Sequence, residues 1–247
     1  MNQTMIEATN VVKVLGQGAG QVHALKGIDL SLAGGELTLL IGPSGSGKTT
    51  LLSILGCMLS PTSGEVRIRG RSTTGLSAED LAAIRRENVG FIFQSYHLFP
   101  TLTAAENVCL ALDVRGDHSP DARARADKAL ATVGLAHRAH AFPRQMSGGE
   151  QQRVAIARAI VGEPSVVLAD EPTAALDSEN GQAVMNLLAE IAKDSSRALF
   201  IVTHDPRIMP FADRIMRIED GRFVSDERRG QRRSQRTGAV RALKQAS

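Results

Sequence analysis

The stretch that most constrains this 247-residue chain is Gly42-Pro43-Ser44-Gly45-Ser46-Gly47-Lys48-Thr49, which fits the spacing GxxxxGK(S/T) without a mismatch. The apolar run Leu37–Ile41 before it predicts a buried strand, and a helix is predicted from about Lys48. Glycines at 42, 45 and 47 let the backbone curl so that its N–H groups converge on an anion. The helix start, running on through Thr50, adds free N–H groups and a positive dipole end. Lys48 offers a mobile charge to the outer phosphates, and the Thr49 hydroxyl is placed to hold magnesium. Strand, turn and helix in this order imply a bound nucleotide.

Elsewhere, short runs rich in Val, Ile and Leu alternate with longer helix-like stretches, which predicts an α/β fold with a mostly parallel sheet. Residues 5–14 and 22–32 read as two antiparallel strands joined by the Gly16–Gly20 turn. Further strands are expected at 65–69, 89–93, 166–169 and 199–202. Between Gln94 and Pro164 the strand signals vanish, and Ala-rich helices are expected near 103–112, 120–133 and 149–161. This predicts a helical subdomain, 94–163, inserted into a core made of 1–93 and 164–226.

Three more strands end in polar groups. Val166-Val-Leu-Ala runs into Asp170 and Glu171, whose side chains cannot share a role because successive strand residues face opposite ways. Asp170 is suited to hold magnesium and Glu171 to polarise an attacking water. Leu199-Phe-Ile-Val-Thr leads to His204, and Phe91-Ile-Phe leads to Gln94. Parallel sheets place ligands at the C-terminal ends of their strands, so these groups and the glycine loop are expected in one site.

The net charge of +3 hides an asymmetry. Residues 228–247 carry seven basic side chains and no acidic one, and removing them leaves residues 1–227 at −4. A mildly acidic body argues against nucleic acid as the partner. The basic tail, taken as 227–247 and expected to be disordered, reads as a solvated extension, as a tether to anionic lipid or, least of the three, as a nucleic-acid contact. Cys57 and Cys109 are isolated and read as small apolar fillers in a reducing cytosol. No apolar run is long enough to cross a membrane, and no secretory signal opens the chain.

These residues, together with Met146-Ser147-Gly148-Gly149-Glu150-Gln151-Gln152-Arg153, resemble the ATP-binding subunit of ABC transporters over residues 5–226. The resemblance implies that Gly42–Thr49 is the Walker A loop and Gln94 the Q-loop glutamine, a further magnesium ligand. Ser147–Gln151 resembles the signature motif, Asp170 and Glu171 the Walker B aspartate and catalytic glutamate, Ala174–Asp177 the D-loop, and His204 the switch histidine. By the same resemblance the P-loop NTPase core carries an antiparallel β subdomain. Two chains would sandwich two Mg-ATP molecules head to tail, each serine-capped helix meeting the partner's nucleotide.

The stretches Leu51–Gly56, Gly90–Pro100 and Val154–Ala159 are similar to the branch containing macrolide exporters, lipoprotein-releasing ATPases and the cell-division ATPase. That branch implies a separate membrane permease touching Ser95–Val108, with Leu98 and Phe99 as candidate anchors and a periplasmic adaptor reached through it. It also implies a cytoplasmic location, peripheral on the inner face of the membrane. A non-transporting regulator of the cell envelope or of division shares all these motifs, and a soluble ABC ATPase acting on ribosomes or nucleic acid is the more distant alternative. Three positions depart from the pattern: Met146 replaces Leu, Glu150 replaces Gln, and only Leu15 stands where an adenine-stacking aromatic is usual. The last predicts modest ATP affinity and weak discrimination against GTP.

Overall fold

The computed structural model describes residues 3–229. In chain order the strands are β1 (Thr4–Leu15), β2 (Val22–Ala33), β3 (Leu37–Ile41), β4 (Ser63–Ile68), β5 (Arg71–Ser72), β6 (Val89–Ile92), β7 (Val166–Asp170), β8 (Ala198–Thr203), β9 (Arg214–Glu219) and β10 (Arg222–Arg228). The helices are α1 (Lys48–Leu55), α2 (Ala78–Asn88), α3 (Ala104–Val114), α4 (Ala122–Thr132), α5 (Gly148–Ile160) and α6 (Ser178–Ala192).

Two sheets result. The smaller is antiparallel in the order β2-β1-β4-β5. The larger runs β10-β9-β3-β8-β7-β6, parallel throughout except for β10, which returns antiparallel on β9. The fold is α/β with a mostly parallel sheet and an antiparallel subdomain, as the sequence predicts.

The central strands are apolar at consecutive positions because both faces of the parallel sheet are covered. Leu37, Leu39 and Ile41 of β3, with Leu199 and Ile201 of β8, face a core closed by α3 to α6. Leu40, Phe200 and Val202 point the other way, into a second core shared with α1 and the antiparallel sheet. Both cores are mainly aliphatic, and Phe200 is the one aromatic among the largest fully buried side chains. Cys57 is buried and Cys109 half-buried, and both are free thiols.

The 94–163 stretch holds α3, α4 and α5, which pack on one another, and it contains no strand. At the other end, β10 pairs with β9 as far as Arg228 opposite Arg214, and Arg228 sits 3.3 Å from Glu36. A boundary at residue 226 therefore cuts a strand. β10 alternates exposed and half-buried residues, as an edge strand does, and so lacks the continuous apolar run that marks its neighbours. The expectations for the rest of the tail, 230–247, lie outside the described residues.

Candidate active site

β3 leads into the loop 42–47, and α1 begins at Lys48. Gly47 is the residue before the helix, with φ of +103°, and a Cβ there would lie 2.5 Å from the Ala24 carbonyl oxygen. Only glycine satisfies both conditions, which is why the loop can turn so sharply beside β2. The loop is held from behind: Gly221 N–H donates to the Ser46 carbonyl at 3.1 Å, and Lys26 N–H donates to the Gly221 carbonyl at 2.9 Å. Lys48 is buried, and its Nζ donates to the Gly42 and Pro43 carbonyls at 2.7 and 2.8 Å. Burial pushes its ammonium below the usual lysine value, opposed by the charges of Glu171 and Asp170.

β7 ends at Asp170, whose carboxyl is raised above the usual aspartate value by burial and by neighbouring Glu171, with Lys48 opposing. Glu171 has left the strand, with φ of +47°. This turn swings its carboxylate to the end of β8, where the Thr203 hydroxyl donates to Oε2 at 2.9 Å. The His204 backbone N–H donates to Oε1 at 3.0 Å, and the His204 Nδ1 lies 2.6 Å from the same oxygen. Strain at a non-glycine residue is kept where surrounding bonds over-determine it, and here three such bonds do so.

One cleft of about 810 Å³ is lined by Pro43, Ser44, Gly45, Gly47, Lys48, Thr49, Thr50, Gln94, Asp170, Glu171 and His204. The structure thus brings together the four strand ends the sequence singles out. Gly42 and Ser46 lie behind this lining. Ser46 is buried, and its hydroxyl has no partner among the described residues.

Ser147, Gly148, Gly149 and Glu150 do not line the cleft. Ser147 caps α5, accepting from Glu150 N–H at 3.2 Å, while Glu150 Oε2 accepts from Ser147 N–H at 2.8 Å. This reciprocal cap lowers the Glu150 carboxyl, chiefly through the Ser147 backbone bond, with Arg138 adding to it at 3.1 Å. Glutamate at this position therefore has a local reason. The first-turn N–H groups of Gly148 and Gly149 have no intrahelical acceptor, so this helix end favours an anion.

Several contributors escape motif reading. Thr203 fixes Glu171, and its signal was the Thr-His order at the end of an apolar strand. Gly221 braces the loop, and it sits in the Asp220-Gly221 turn joining β9 to β10. Leu15 and Val22 face each other across the first hairpin and are 40% and 61% exposed at the mouth of the cleft, beside His23. In Ser95–Val108, Leu98 packs against the core while Phe99 is 51% exposed. Val108 is fully buried, so it offers nothing to a partner.

The pattern of the ABC transporter family matches residues 25–174. The chain belongs to that family. An uncharacterised ABC transporter ATP-binding protein of Methanocaldococcus jannaschii is 45% identical over 220 residues, covering 89% of this chain and 98% of that protein. The macrolide export ATP-binding/permease protein MacB 1 of Aeromonas hydrophila is 44% identical over 229 residues, covering 93% of this chain but only 35% of that protein. The chain therefore spans about a third of the length of such export proteins. Among solved structures, a dimeric ATP-binding cassette in a post-hydrolysis state with ADP and Pi matches with a TM-score of 0.82 at 42% identity, covering 91% of this chain and 98% of that one. The chain is thus an ATP-binding and ATP-hydrolysing cassette of the ABC transporter family.

Proposed function

We propose that the loop Gly42–Thr49, with Thr50 behind it, grips the phosphates of ATP, and that two copies of the chain close around two ATP molecules. The carrying observation is a division of labour. Lys48, Asp170, Glu171 and His204 share one cleft, whereas the serine-capped start of α5, an anion-binding helix end, lies outside its lining. A second copy supplies the anion, in line with the dimeric state of the solved cassette bound to ADP and Pi.

Within this arrangement Lys48 exchanges the Gly42 and Pro43 carbonyls for phosphate oxygens. Glu171 accepts a proton from the attacking water, whose oxygen bonds to the γ-phosphorus as the bridge to the β-phosphate breaks, leaving ADP and phosphate. Thr203 and His204 hold that carboxylate in place. Ser147, Gly148 and Gly149 of the partner copy close the outer side, and Glu150 tightens the cap beneath them.

Magnesium fits the residues present. Asp170 is a half-buried carboxylate with its charge under-compensated, and with the Thr49 hydroxyl and the Gln94 amide oxygen it makes an all-oxygen donor set. When bound, the ion would neutralise charge on the outer phosphates. We assign residues 1–93 and 164–226 to the core and 94–163 to the helical subdomain, with β10 completing the core to Arg228.

The closure would drive a membrane permease seated on the exposed part of Ser95–Val108. An apolar groove of about 420 Å³ adjoins that segment, with Phe91, Phe93, Phe99, Leu110 and Val114 along it. Among the described residues no helix is long and apolar enough to cross a membrane. The chain would thus act at the cytoplasmic face, and export, through a permease with its periplasmic adaptor, is the reading its MacB-named relatives favour.

Glu171→Gln tests this. The variant should bind Mg-ATP, hydrolyse it about 10²–10⁴-fold more slowly, and elute as a dimer in size exclusion, whereas Lys48→Ala should not bind. A Glu171→Gln chain that turns over freely would remove the residue from its role.

A further inference from the structure

We propose that Tyr96 is a positioning residue that couples a chain's own phosphate cleft to the signature helix it offers its partner; this rests on the two-copy reading above. Gln94 lines the cleft and, with Ser95, makes a tight turn that runs on into Tyr96 and His97. Both have positive φ, +59° and +49°. Left-handed backbone is strained for a residue with a Cβ, so two in succession require strong external fixation.

That fixation comes from α5. Arg158 donates to the Tyr96 carbonyl at 2.7 Å and also to the His97 carbonyl. The Tyr96 hydroxyl lies against Gly148, so close that a Cβ there would sit 2.9 Å from it. The half-buried ring makes no hydrogen bond that would fix it to anything else among the described residues. The turn thus touches α5 at its first residue through the Tyr96 hydroxyl and is hydrogen-bonded to it at Arg158, ten residues on, a span of about 15 Å.

A turn fastened twice to a rigid helix cannot move alone. Movement of Gln94 toward phosphate and metal is passed through Tyr96 to Gly148, and so to Ser147 beside it. The occupied cleft then sets the orientation in which a chain presents its serine-capped helix to the other copy. By linkage, docking of that helix on a partner's nucleotide tightens the cleft of its own chain.

The test uses the full chain carrying Glu171→Gln, with Tyr96→Ala or Tyr96→Phe added. Affinity for fluorescent Mg-ATP is measured at dilutions where the chain is monomeric, and dimerisation at saturating Mg-ATP by sedimentation. Tyr96→Ala should leave monomer affinity within about twofold while weakening dimerisation by roughly tenfold; Tyr96→Phe, which keeps the ring but loses the hydroxyl against Gly148, should weaken it about threefold. In the chain with Glu171 intact, Tyr96→Ala should also lower the Hill coefficient for ATP. Unchanged dimerisation, or a loss of monomer affinity equal to the loss of dimerisation, would overturn the coupling. If Tyr96→Ala melts the helical layer, Tyr96→Phe decides: dimerisation weakened about threefold supports the role, and parity with the parent overturns it. A parent that never dimerises sinks the two-copy reading and this inference with it.

Discussion

Asn107 gives a sharp quantitative prediction, because it is fully buried in α3 and uses its whole amide to hold the loop that carries Phe99. Its Oδ1 accepts from Phe99 N–H at 2.7 Å, and its Nδ2 donates to the carbonyls of Phe99, Leu102 and Thr103 at 3.1, 3.0 and 3.0 Å. Asn107→Leu keeps the branching of the side chain and favours helix. Phe99 O keeps the Leu102 N–H, and Thr103 O keeps the N–H of residue 107, so two groups are stranded: Phe99 N–H and Leu102 O. Both bonds are part-buried, and each group left unpaired there costs about 1–3 kcal/mol, while the added apolar burial returns at most about 1.5 kcal/mol. The net loss is about 3 kcal/mol. With a urea slope of about 3 kcal/mol per M, the unfolding midpoint falls by about 1 M. If the loop lifts off to recruit water, the loss appears instead as faster hydrogen exchange at Phe99 N–H, by roughly two orders of magnitude. An unchanged midpoint together with unchanged Phe99 protection would refute the reasoning.

Two further outcomes follow from the cleft. Asp170 has a raised carboxyl pKa, so its ionisation opposes folding at pH values above that pKa and ceases to do so once it is protonated. Asp170→Asn should therefore melt above the wild type at neutral pH in the absence of nucleotide, with the gap closing as pH falls through the carboxyl's pKa, while hydrolysis is lost; calorimetry across pH that finds the gap widening on acidification contradicts this. At the hairpin, Leu15→Phe should raise ATP affinity by about 2- to 12-fold through ring stacking, and the unmodified chain should discriminate ATP from GTP less than about a hundredfold. Competition binding with both nucleotides checks the pair.

Much of the site was legible because its chemistry forces local sequence. The glycine loop needs residues without a Cβ at fixed spacings, and central parallel strands need unbroken apolar runs, so Gly47, Lys48, Asp170 and His204 all fall at readable places. What stayed hidden depends on contacts between distant segments. Nothing near Gly221 announces that its N–H will brace Ser46, and β10 is marked as a strand only by the Asp220-Gly221 turn before it, because its own residues carry no apolar run. Leu98 and Phe99 are adjacent and similar in character, yet one packs inward and the other faces out, because Asn107 fixes the backbone between α3 and the loop. The Glu150 substitution is likewise intelligible only beside Ser147 and Arg138.

The central claim is that each hydrolytic site is built from two copies, and mixing two disabled chains tests it most directly. Lys48→Ala removes the grip on phosphate but leaves α5 intact; Ser147→Arg, at an exposed cap, fills the helix end but leaves the loop intact. Each variant alone should hydrolyse almost nothing. Mixed in equal amounts, they should regain activity, up to roughly a quarter of the unmodified rate, since half the dimers are mixed and each holds one whole site. Full hydrolysis by Ser147→Arg alone, or no recovery from a mixture shown to contain mixed dimers, would contradict it.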